Sequence, residues 1–139
     1  MNYDTVKLAV FGTLRKTGVN HARWLSDSTY LGKTKLYGFC LKHLRWPLIV
    51  QSPVSNDRVV VEVYETPAAN FLDIKAMELG CGIYTLACVE TDSHGFAMTF
   101  VTCPRMAREL GANYVHSRYE GDYIKFLEGV NSKDYQSYM

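Results

Sequence analysis

The sequence predicts an α+β domain, a small mixed β-barrel with flanking helices. Strand-like segments outnumber helical ones, and two hairpin-like pairs stand out. The stretch Tyr30–Leu41 carries glycines at 32 and 38, which fits a long bent strand or two strands of a curved sheet. The chain has 139 residues, 47% hydrophobic and 21% charged, enough for one domain with its own core. That domain is assigned to residues 1–130 and a C-terminal tail to 131–139.

Each element has a local reason. Val6–Phe11 is an apolar first strand. Asn20 stands where it would cap a short helix, His21–Leu25, that turns Trp24 and Leu25 to the core. Leu48–Gln51 follows Pro47 as a short strand, and Val59–Tyr64, rich in β-branched residues, reads as central. Pro67 opens a helix that runs to Leu79 and stops at Gly80. Tyr84–Glu90 and Phe96–Thr102 pair through Asp92-Ser93-His94-Gly95. Pro104 ends the second arm, and Arg105–Leu110 and Tyr123–Leu127 read as helical turns. The polar, aromatic stretch from Ser132 to Met139 reads as loosely held.

Composition excludes several functions. A net charge of +1 gives no nucleic-acid footprint, and no apolar run is long enough to span a membrane. The first residues show no basic segment followed by an apolar core, so no secretory leader is expected. Cys40, Cys81, Cys88 and Cys103 form neither a CxxC pair nor a zinc-like spacing with histidine. They read as reduced thiols of a cytoplasmic protein and not as metal ligands.

Two features carry chemistry. The first strand runs into Gly12, then into a polar loop closed by Gly18. A strand ending this way exposes backbone N–H groups that can hold a carboxylate or an oxyanion. The second is Glu78. Phe71, Ile74 and Glu78 fall on one face of the helix, which sets a carboxylate in an apolar row beside Met77. Loss of water raises such a group from its usual value of about 4.3 and suits it to proton transfer near neutrality. An ion pair with Lys75 on a solvated edge is the competing reading. Glu62, in Val59-Val60-Val61-Glu62-Val63-Tyr64, shares the strand face of Val60 and Tyr64 and reads as a structural carboxylate.

The string Phe11-Gly12-Thr13-Leu14-Arg15 followed by Asn20-His21 resembles the opening signature of the gamma-glutamylcyclotransferase-like superfamily, including its small AIG2-like and gamma-glutamylamine cyclotransferase-like proteins. Further segments follow in the superfamily's order. They are Gly38 with Trp46-Pro47-Leu48-Ile49-Val50, then Val61-Glu62-Val63-Tyr64, Ile74-Lys75-Ala76-Met77-Glu78 with Tyr84, and Tyr119-Glu120-Gly121-Asp122-Tyr123. The resemblance spans residues 6 to 127. The chain departs from the pattern at Phe11, where tyrosine is usual, at Lys75, where aspartate is frequent, and at Val61, where glycine is usual.

The resemblance implies a cofactor-free enzyme that releases 5-oxoproline and an amine from a small γ-glutamyl substrate. It implies Glu78 as the base and then the acid, and the backbone of Gly12, Thr13 and Leu14 as the substrate cradle. Arg15 is a candidate partner for a substrate carboxylate, and Tyr84 and Tyr119 are candidate pocket walls. Asn20 and His21 read as braces of the loop. The alternative is a non-catalytic or repurposed binding module on the same fold, capturing a small anion or a protein partner. Phe11, Lys75 and the tyrosine-rich tail speak for it.

Overall fold

In the computed structural model, residues 4–18 and 20–129 are described; the tail assigned to 131–139 lies outside them. Strand β1, Thr5–Val10, starts and ends one residue before the Val6–Phe11 read from the sequence, and its last three residues are all buried. Leu8 and Val10 face one apolar cluster, while Ala9 and the following Phe11 face another. Helix α1 is His21–Leu25, as read from the sequence. The glycine-bearing stretch is two strands, β2 at Thr29–Tyr37 and β3 at Phe39–His43. Gly38, at φ 81°, makes the break, a backbone state that a side chain disfavours. Gly32 marks a bulge in the pairing of β2 with its neighbour.

Strand β4, Pro47–Gln51, pairs back on β3. Strand β5, Arg58–Pro67, is longer than its β-branched heart suggests. Helix α2 starts at Ala68 rather than Pro67, which closes β5, and its first N–H donates to the Asp4 carbonyl at 2.6 Å. It ends at Leu79. The hairpin is β6, Thr85–Thr91, and β7, Gly95–Val101. Helices α3, Pro104–Leu110, and α4, Tyr123–Gly129, flank the sheets. A two-residue strand β8, Asn113–Tyr114, and a 3₁₀ turn, Ser117–Tyr119, carry no local pattern. Strand β8 exists because His43 and Lys42 of β3 pair with it.

The fold is α+β, as expected. A five-stranded mixed sheet runs β2-β5-β1-β7-β6, with β1 and β7 parallel, and a three-stranded sheet runs β4-β3-β8. Strand β5 is interior, though β1 holds the middle. The larger sheet curls until its edges meet near the β6–β7 turn. There the Asp92 N–H donates to the Lys35 carbonyl at 2.9 Å, and the Ser93 hydroxyl donates to that of Thr34 at 2.8 Å. The inner face buries Val59, Val61 and Val63 with Ile49 and Phe126. The outer face buries Leu8, Val10 and Tyr64 under Phe71 and Ile74 of α2. Val61 therefore sits in the barrel interior, fully buried.

His43 is a polar group in this core. It is 8% exposed, packs against the rings of Tyr123 and Phe126 at 6.0 and 5.0 Å, and its Nδ1 has no hydrogen-bond partner. Burial lowers its pKa, so the folded protein binds this proton less readily than the unfolded chain. Its contribution is intact above the ordinary histidine value of about 6.5 and falls as pH drops through it toward the lowered folded value. His43→Phe is expected to remove this part of the acid destabilisation. The check is the melting temperature of both proteins from pH 7.5 to 5; parallel curves would refute it.

Candidate active site

A cavity of about 340 Å³ opens where the loop after β1, the start of β4 and the C-terminal end of α2 converge. The loop owes its shape to local bonds. The Arg15 N–H closes a turn onto the Gly12 carbonyl at 3.0 Å. The Asn20 N–H donates to the Thr13 carbonyl at 3.0 Å, and Asn20 Nδ2 donates to the Thr13 hydroxyl at 2.9 Å. His21 Nδ1 lies 2.9 Å from the Leu14 carbonyl. Asn20 and His21 thus brace the loop. Asn20 occupies the position before α1 but its side chain does not cap that helix. These bonds engage the carbonyls of residues 12–14. Among the described residues, the N–H groups of Gly12, Thr13 and Leu14 donate no hydrogen bond within the protein. Gly12 also meets β4 closely: a β-carbon there would run into the Pro47 ring.

Glu78 lines the same cavity, together with Met77, Ile83 and Tyr84. Phe71 and Ile74 of its helix face are buried against the sheet, and Glu78, one turn further on, reaches the cavity instead. Burial pushes its carboxyl up to about 7. The alternative pairing with Lys75 does not form: among the described residues Glu78 makes no ion pair. The Tyr84 hydroxyl donates to the Pro47 carbonyl. Burial, then the neighbouring Glu78 charge, raises its pKa, so it stays protonated.

The structure brings Gly12, Thr13, Leu14, Glu78 and Tyr84 to one cavity. It places Arg15 and Tyr119 elsewhere. Arg15 is 3% exposed and turned away from the cavity, its Nε 2.8 Å from Glu62 and its Nη1 2.6 Å from Asp122. Two buried carboxylates claim it, so it is not offered to a substrate. Tyr119 is buried in the barrel core, edge-on to Phe126 at 5.5 Å. Glu62 is structural, as the strand pattern suggested. Burial alone would raise its pKa, but hydrogen bonds from Arg15, the Lys16 N–H and Tyr64, with the Arg15 charge, hold it below the usual carboxylate range. Sequence reasoning missed Trp46, Pro47, Cys81 and Ile83 as cavity walls. Only Cys81, three residues past Glu78, carried a local signal, and its thiol donates to the Glu78 carbonyl at 3.2 Å.

Among the described residues, no helix is long and apolar enough to cross a membrane. Solved structures share the fold. Uncharacterised protein PH0828 from Pyrococcus horikoshii is 28% identical, with 92% of this chain and 98% of that one covered and a TM-score of 0.71. Protein ytfP from Escherichia coli is 27% identical, covering 85% and 96%, at 0.63. Kluyveromyces lactis allophanate hydrolase, 22% identical, shares the fold over 91% of this chain but only 21% of its own length, at 0.76. None of the curated proteins matches the chain significantly. The family described as gamma-glutamyl cyclotransferase, AIG2-like, matches residues 8–124, nearly the whole described domain, and the chain belongs to it.

Proposed function

We propose that the protein converts a γ-glutamyl amine or peptide to 5-oxoproline and a free amine, with Glu78 moving the proton. The observation that carries this reading is a desolvated carboxylate lining the same cavity as three uncommitted backbone N–H groups. The reaction is an intramolecular aminolysis. The ionised Glu78 carboxylate takes a proton from the substrate's α-ammonium group. The freed amine attacks its own γ-carbonyl carbon, closing the C–N bond of a five-membered lactam. The oxyanion that develops, or the substrate's α-carboxylate, is held by the N–H groups of Gly12, Thr13 and Leu14. Glu78 returns its proton to the departing nitrogen as the original amide bond breaks, and the second proton shed by the attacking nitrogen goes to the released amine, which leaves as its ammonium form. A group near 7 suits both transfers, because neither protonation state is strongly disfavoured at neutral pH.

The test is mass-spectrometric screening of γ-glutamyl amines and dipeptides for matched appearance of 5-oxoproline and amine. Release from at least one of them supports the reading; release from none overturns it. The kcat of an active substrate is expected to rise with pH through about 7, as Glu78 ionises. An acid limb that persists unchanged in Glu78→Gln would assign it to another group.

A further inference from the structure

Three side chains that the cavity does not use converge at one buried point. Arg15 lies in the loop after β1, directly after Leu14, Glu62 lies on β5, and Asp122 directly precedes α4. All three are at least nine-tenths buried. Arg15 Nε donates to Glu62 at 2.8 Å and Arg15 Nη1 to Asp122 at 2.6 Å. Glu62 Oε1 also accepts from the Lys16 N–H at 2.7 Å and the Tyr64 hydroxyl at 2.8 Å. Asp122 Oδ1 accepts from the Ile124 and Lys125 N–H groups that open α4, at 3.0 and 3.3 Å. Gly121 fixes this segment against β5: its carbonyl accepts from the Val60 N–H at 2.9 Å, and a β-carbon on it would strike the Arg58 carbonyl.

We propose that Glu62, Arg15 and Asp122 are positioning residues that hold the Gly12–Leu14 amides in register for substrate. This rests on the function proposed above. A buried ion pair is weak evidence for stability, since apolar side chains of the same volume often serve as well. What this cluster supplies is geometry. The two residues directly after Leu14 are both pinned to Glu62, Arg15 through its side chain and Lys16 through its backbone. Asn20 and His21 hold the Thr13 and Leu14 carbonyls from the other side. The planar guanidinium sets two directions at once, which a lysine ammonium does not. Arg15 thus acts through the backbone beside it and touches no substrate.

The test uses Arg15→Lys and Glu62→Gln in the full chain, with Arg15→Lys as the milder change should the other fail to fold. Backbone ¹⁵N relaxation is measured at Gly12, Thr13 and Leu14. The expected result is a fall in order parameter from the rigid range toward the flexible one at these amides, with Val61 and Val63 unchanged. With an active γ-glutamyl substrate, KM is expected to rise on the order of tenfold while the pH of the kcat acid limb stays put, as for lost binding donors rather than a changed Glu78. A stabilising cluster alone would lower the melting temperature and leave both readouts where they are. Amides that stay rigid in the folded variants, or a KM within twofold of the parent, overturn the proposal. If the parent releases no 5-oxoproline from any γ-glutamyl compound, the proposed function fails, and the relaxation measurement still decides the positioning role.

Discussion

Glu78→Gln is expected to abolish most turnover and yet make the protein more stable above pH 7. The two effects have one cause. The cavity wall strips water from the carboxylate, and burial holds its folded pKa near 7. In the unfolded chain the value is about 4.3. The folded state therefore binds this proton more tightly, and the stability it contributes is complete below pH 4.3 and lost as pH rises through 7. At pH 8 the parent buries a charge that glutamine does not carry. The shift corresponds to about 3–4 kcal/mol for a fully buried group, and to less for a partly exposed one. For a domain of this size that is several degrees in melting temperature. Turnover should fall by about 10²–10⁴-fold, since the amide keeps the shape but accepts no proton from the substrate ammonium. The check pairs melting curves at pH 5 and pH 8 with 5-oxoproline release. A variant that turns over at the parent rate refutes the mechanism. A melting difference between variant and parent that is equal at both pH values refutes the buried-charge account.

Much of this site was legible because its parts are local. The strand-to-Gly12 turn and the Phe71–Ile74–Glu78 face each need only a few neighbouring residues, and both fall on the cavity. The roles of Arg15 and Tyr119 were not legible. Arg15's partners lie 47 and 107 residues away, so no spacing rule reports them. A loop arginine beside a glycine cradle invites a substrate role until a pair of distant carboxylates is found to hold it. Tyr119 stands in a 3₁₀ turn whose inward side depends on α4. The helix start at Ala68 was misjudged for a related reason. Pro67 suits a first helical position, but β5 extends through it and pairs it with Thr5. The hairpin, by contrast, was placed within a residue, because alternation and the Asp92–Gly95 turn are written in sequence order.

Gly12→Ala is expected to lower kcat/KM by at least 100-fold and to cost stability as well, and Pro47→Ala on top of it should restore part of both. Gly12 does not adopt a left-handed backbone, so alanine brings no torsional penalty there. The difficulty is space. Its new β-carbon would overlap Cγ of the Pro47 ring, while Pro47 Cβ stands at 3.4 Å, an ordinary contact. Pro47 is buried in β4, paired with His43, and its carbonyl receives the Tyr84 hydroxyl. Neither side yields freely, so overpacking of this kind typically costs about 1–3 kcal/mol. To the extent that the loop gives way, the Gly12–Leu14 amides shift relative to Glu78. Losing one preorganised oxyanion donor alone is worth roughly 3–4 kcal/mol of transition-state stabilisation. Alanine at position 47 keeps Cβ and deletes the clashing Cγ, so the two substitutions should be non-additive in the favourable direction. Melting temperatures and kcat/KM for the single and double variants complete the cycle. Strict additivity would show that the Gly12–Pro47 approach does not set the position of the loop.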